Sequence, residues 1–144
     1  MKIISLSCTH SRYKSVSTPK ADVLVHCGDW DCTHSDSLKR FADWLDEQPA
    51  THKIVVAGNH DKFAECHDEM TRDILKDHCH YLRDSGVEIE GVKFWGSPWT
   101  PLFGNWSFML PRGYEMKKIW DNIPEGIDVL ITHGPPMGIL DQVN

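Results

Sequence analysis

A chain of 144 residues, 40% hydrophobic and 25% charged, can bury one core and suits a single globular domain over 1–144. Its formal charge of −6 argues against non-specific nucleic-acid binding through a basic surface. The five cysteines are an odd number without a Cys-x-x-Cys pair, which favours reduced thiols over a disulfide framework, and no apolar run approaches the roughly 18 residues of a membrane span, so a cytoplasmic protein without membrane attachment is expected.

Residues 2–7 run apolar into Cys8-Thr9-His10, and residues 22–27 run apolar into Gly28-Asp29. Such near-continuous runs read as strands buried on both faces of a helix-covered sheet. His26 faces opposite to its strand neighbours and is expected to pack or hydrogen-bond there. Ser35 or Asp36 is placed to cap a helix over 37–47, with Leu38, Phe41, Ala42 and Leu45 on one stripe and Pro49 just beyond its end. A third strand, 53–56, empties into Gly58-Asn59-His60-Asp61, and a second helix over 68–76 presents Met70, Ile74 and Leu75. Asp61 either caps a following helix or orients His60.

Alternation in Val87-Glu88-Ile89 and Val92-Lys93-Phe94-Trp95 on either side of Glu90-Gly91 signals a hairpin. Between Gly96 and Pro111, four large aromatics (Trp99, Phe103, Trp106, Phe108) read as a lid packed on the domain edge, or as an apolar wall able to stack a nucleobase. A helix over 114–120 leads to a last strand that ends in Thr132-His133-Gly134. One sheet is expected from residues 3–7, 23–26, 54–57 and 129–132, with Cys8, His10, Asp29, Asn59, His60 and His133 converging at its C-terminal edge, where open α/β sheets place ligands.

The four strand ends closely resemble the pattern of the calcineurin-like metallophosphoesterases: Asp-x-His, Gly-Asp, Gly-Asn-His-Asp/Glu, a later His, then Gly-His-x-His. The stretches Asp84-Ser85-Gly86-Val87, Phe94-Trp95-Gly96-Ser97-Pro98-Trp99 and Ile123-Pro124-Glu125-Gly126-Ile127-Asp128 hold no motif residue, and they are similar to the phosphodiesterase subfamily labelled metallophosphoesterase-domain-containing. The resemblance implies a four-layer α/β/β/α sandwich, C-terminally truncated here, and phosphodiester hydrolysis by hydroxide generated between two divalent metals about 3.5–4 Å apart. It assigns Asp29 as the bridging ligand, His10 to the first metal, and Asn59 and His133 to the second. His60 is then the catalytic general acid. Asn59, His60 and Arg12 are the substrate-binding candidates, with Tyr13 beside Arg12. Manganese is the metal expected, with iron(II), zinc and magnesium as alternatives, and the substrate is a phosphate ester, a nucleotide being one candidate.

Two departures bear on that expectation. Cys8 stands where the family has the aspartate of Asp-x-His; as a metal ligand its thiolate suits zinc or iron(II) better than manganese, and as a neutral thiol it merely fills space. The chain ends at Asn144, before any Gly-His-x-His, so a second chain that completes the site is a candidate partner. The alternative to an enzyme is an inactive family member that binds metal, nucleotide or a partner protein. The groups Cys27/Cys32/His34, Cys66/His67 and His78/Cys79/His80 lack the paired spacing of a structural zinc site.

Overall fold

The computed structural model describes residues 1–142. Four parallel strands, β1 (Ile3–Leu6), β2 (Ala21–Cys27), β3 (Ala50–Val56) and β4 (His80–Leu82), form a sheet in the order β1-β2-β3-β4. Leu6 pairs with His26, and Cys27 with Val56, so the strands finish nearly level. The loops carrying Cys8, Asp29 and Asn59 therefore leave the same edge. β4 was not anticipated, since three residues are too few to show a period.

The sheet is covered on both faces, as its apolar runs require. One face carries Val55 and Ala57 against a layer formed by α1 (Ser35–Glu47), α2 (Lys62–Cys66) and α3 (Asp68–Leu75), with Leu38, Phe41, Leu45, Ala64 and Leu75 buried between them. Val23, Val25, Ile54 and Val56 point the other way, onto Ile89, Phe94 and Ile131 of a second sheet. The chain is thus layered helix, sheet, sheet, a mixed α/β fold with a parallel sheet at its core. Among the described residues, no helix is long and apolar enough to cross a membrane.

The second sheet corrects one expectation. β5 (Ser85–Ile89) and β6 (Val92–Ser97) make the anticipated hairpin, but β9 (Val129–Thr132) joins β6 in parallel and not the first sheet. The entry to β9 fixes this pairing: Asp128 N–H donates to the Lys93 carbonyl at 2.9 Å, and Lys93 N–H donates to the Asp128 carboxylate at 2.8 Å. An apolar tetrapeptide says that it will be buried, not which sheet will bury it.

A second correction concerns the first helix. Its N-cap is His34, not Ser35 or Asp36. The Ser37 N–H donates to His34 Nδ1 at 3.1 Å, and the His34 N–H donates to Ser37 Oγ at 3.1 Å, a reciprocal capping box with imidazole in the acceptor position. Asp36 falls instead in the first turn, where its charge complements the helix dipole.

The aromatic segment divides. Its short parallel pair, β7 (Thr100–Pro101) with β8 (Met109–Leu110), brackets a loop; Phe108 is fully buried and meets Trp99 edge-on, whereas Phe103 and Trp106 stay 70% and 51% exposed. α4 (Tyr114–Trp120) then returns the chain toward β9.

Candidate metal centre

Two loops at the C-terminal edge of the first sheet, those after β2 and β3, are knitted together by one buried carboxylate. Asp61 accepts hydrogen bonds from the backbone N–H groups of Asp29 (2.8 Å), Asp31 (2.7 Å) and Gly58 (2.7 Å). Although it sits at the N-cap position of α2, its side chain neither caps that helix nor reaches His60. Burial pushes its carboxyl up to about 7, against those three amides. Two of its three partners, Asp29 and Asp31, are distant in sequence, which is why the cap-like spacing misled.

The loops are also strained. Cys8, His10, Ser11, Asp29 and Asp31 all have positive φ, between 44° and 63°. L-residues pay roughly 1–2 kcal/mol to enter this region, and such strain gathers where side chains must be aimed at a site. Backbone bonds from Cys8 N–H to the Gly28 carbonyl (2.9 Å) and from His10 N–H to the Asp29 carbonyl (2.9 Å) hold the loop after β1 against the loop after β2.

Asp29 lies at the centre. Its Oδ2 is 3.7 Å from His10 Nε2, and its Oδ1 is 3.4 Å from His133 Nε2. Oδ1 also accepts the His60 N–H at 2.9 Å. Burial would raise the Asp29 carboxyl, but the His133 ring and the His60 amide hold it below the usual carboxylate range. It is therefore an anion at neutral pH, with one oxygen turned to each side.

On one side stand His133 and Asn59. Although β9 belongs to the second sheet, its end reaches across to the first: His133 Nδ1 is 2.8 Å from the Cys27 carbonyl, and Nε2 is 2.9 Å from Asn59 Oδ1. A carbonyl can only accept, so Nδ1 carries the proton in the tautomer that this contact selects. The Nε2 lone pair then faces two oxygens. Three electron-pair donors on one point call for a proton or a cation; burial lowers the His133 pKa, but the Asp29 carboxylate, the Cys27 carbonyl and Asp61 together raise it above the ordinary value. An oxygen, oxygen, nitrogen set of this kind suits a divalent ion.

Cys8 and His10 stand on the other side. Their ligand atoms and an Asp29 oxygen lie within 4.8 Å of one another. The thiol is exposed, so it does not fill a buried space. Sulfur, nitrogen and oxygen donors together suit a borderline ion better than a hard one. The structure therefore brings Cys8, His10, Asp29, Asn59, His60 and His133 to one place, as the strand ends suggested.

His60 is half-buried, its ring edge-on to His10 (centroids 4.8 Å) and tilted against Trp106 (4.4 Å). Arg12 is exposed at the head of the 3-10 turn Tyr13–Ser15, and among the described residues its side chain makes no hydrogen bond or ion pair. Tyr13 is a correction: it is buried against Phe41 and Trp44 and faces the core, not a substrate. Sequence reasoning missed Asp31, whose carboxylate comes within 4.8 Å of ligand atoms on His10 and His60. The signal was a second aspartate two residues after Asp29 in a Gly-Asp-x-Asp run. Among the described residues, the groups around Cys32, Cys66 and Cys79 form no cluster of three candidate donors.

Human and mouse metallophosphoesterase domain-containing protein 1 are each 38% identical to this chain, over 99% of it and 51% of their own length. A UPF0046 protein of Caenorhabditis elegans is 36% identical over 99% of the chain and 53% of its own length. The chain thus spans about half the length of these relatives. The family profile described as calcineurin-like phosphoesterase matches residues 1–143, nearly the whole fold and every strand end described above, and the chain belongs to the calcineurin-like phosphoesterase family.

Proposed function

We propose that this chain is the catalytic unit of a metal-dependent phosphodiesterase. The observation that carries the reading is Asp29, a buried carboxylate with one oxygen toward His133 and Asn59 and the other toward His10. That disposition suits a carboxylate shared between two cations. His133 and Asn59 would complete one position, and His10 with Cys8 the other. Two divalent ions, manganese by preference on the oxygen-rich side, would supply the nucleophile at neutral pH and offset the negative charge of the phosphoryl group.

The chain's own residues do the rest. His60 is bonded through its backbone to Asp29, and its ring packs against His10 and Trp106. Its imidazole is the group placed to pass a proton to the departing oxygen. Trp106 leans on that ring with an exposed face and offers a surface for the leaving group, a nucleoside being one candidate. General-acid help matters most when the leaving alkoxide is poor.

One observation favours a second reading. Cys8 supplies sulfur on the first side, which weakens that side for hard cations, as in an inactive member that retains only the Asn59 and His133 side. Turnover of a bis-aryl phosphate with manganese decides between them. The catalytic reading expects hydrolysis in the wild type and a loss of at least 100-fold in Asp29→Asn. Equal rates in the two proteins would remove the shared-carboxylate mechanism.

A further inference from the structure

We propose that His10, Asp31 and His60 form a separate zinc-binding position whose occupancy silences the site. Their ligand atoms lie within 4.8 Å of one another, yet no hydrogen bond or ion pair joins the Asp31 carboxylate to either ring, and among the described residues that carboxylate has no other partner. Two imidazole nitrogens and one carboxylate oxygen, with an open fourth direction, are the donor set of many zinc sites. Harder cations prefer oxygen throughout. Zinc bonds of about 2.0–2.1 Å require the three donors to draw together by about 1 Å, which rotation of the 42%-exposed His10 side chain can supply.

The backbone around Asp31 is set in advance. Its N–H donates to Asp61 at 2.7 Å, its carbonyl accepts from Ser11 Oγ at 2.9 Å, and its φ is 60°. Both polar backbone groups are thus tied while the carboxylate is left free, at a strained position that a loop without a task could relax.

Zinc here has two consequences, one through His10, which belongs to two clusters, and one through His60. His10 lies within 4.8 Å of Cys8 and Asp29 on one side, and of Asp31 and His60 on the other. A neutral imidazole has one lone pair and serves one ion at a time. Zinc at Asp31 therefore withdraws His10 from the Asp29 side. It also occupies a His60 nitrogen, which can no longer carry the proton for the leaving oxygen. This inhibitory effect rests on the proposed function; the binding does not.

Cobalt(II), which replaces zinc and is coloured, separates the two. In Cys8→Ala/Asp29→Asn, which removes the thiolate and the carboxylate shared by the other two positions, a ligand-field spectrum from a nitrogen and oxygen site remains. Adding Asp31→Asn, a residue that tolerates positive φ, should weaken that remaining binding at least tenfold, with unchanged circular dichroism and melting temperature. Equal cobalt affinity with and without Asp31→Asn overturns the site. If manganese-supported turnover exists, Asp31→Asn should raise the zinc concentration that halves it by at least tenfold; unchanged zinc sensitivity alongside weakened cobalt binding overturns the inhibitory role alone.

Discussion

At the scale of single residues, the site places its demands on side chains that do different work within one small space. His60 is held by its backbone to Asp29 and makes no side-chain bond to the Asn59 and His133 group, so its imidazole can be removed without disturbing them. Loss of a general acid typically costs 10²–10⁴-fold. His60→Ala should lower kcat within that range while manganese affinity, measured by calorimetry, stays within about twofold; a parallel collapse of affinity would make His60 a ligand and not an acid. Cys8 invites the converse test. It is exposed beside His10 and Asp29, with its N–H bonded to the Gly28 carbonyl and a φ of 54° that aspartate tolerates. Cys8→Asp replaces a soft donor by a hard one at the same place, so manganese should bind the His10 side at least tenfold more tightly. Unchanged manganese titrations would show that position 8 does not face the ion.

At the scale of elements, much of the fold was legible because burial on both faces leaves a clear trace. β1, β2 and β3 announce themselves as apolar runs, and the residues that follow each run are too polar to continue it. What escaped was whatever is decided by a partner distant in sequence: the sheet that receives β9, the Asp29 and Asp31 amides that claim Asp61, and the convergence of Asp31 on His10 and His60. His34 escaped for a different reason, since imidazole is an uncommon cap. His26, by contrast, was legible from strand alternation alone. It is fully buried on β2, with its ring edge-on to Phe41 and its Nε2 3.1 Å from Thr9 Oγ1. Burial, offset in part by Asp29, lowers its pKa from 6.5 to about 4. As pH falls below the ordinary value, the unfolded chain takes up a proton that the folded chain refuses. The stability due to a neutral His26 is thus complete above about pH 6.5 and is lost on the way to pH 4, a change of about 3 kcal/mol at 1.4 kcal/mol per unit. Asp61 has the opposite slope, because its raised pKa makes the folded state hold a proton that the unfolded chain releases above about pH 4. The two partly cancel in the wild type, so a difference is needed. Urea unfolding of wild type and His26→Gln at pH 7 and pH 4.5 should show the wild type's relative advantage shrinking by about 2–3 kcal/mol at the lower pH. A pH-independent difference would mean that His26 is not held neutral.

At the scale of the whole molecule, the candidate centre depends on the distance between two sheets. Asp29 and Asn59 follow strands of the first sheet, whereas His133 follows β9 of the second. Their contact, 2.9 Å between His133 Nε2 and Asn59 Oδ1, is kept only while the sheets stay closely packed. Gly96 on β6 permits that packing. A Cβ there would lie 2.5 Å from Leu82 Cβ and 2.8 Å from Val56 Cγ2, and the first of these is fixed to the backbone of β4. Ala at this position cannot be absorbed by a rotamer change, so the second sheet must move away from the first. Overpacking of this kind costs about 1–3 kcal/mol. Because Gly96 pairs with Ile131, two residues before His133, the displacement is passed to the site itself. Gly96→Ala should therefore lower the melting temperature and also weaken manganese binding at the Asp29, Asn59 and His133 position, by at least tenfold. Gly91→Asn is the control: it lies in the β5–β6 turn with φ +81°, and nothing stands within 4 Å of an added Cβ. Its modest loss of stability should leave manganese affinity unchanged. If Gly96→Ala lost stability but bound manganese like the wild type, the second sheet would not be what sets His133 against Asn59.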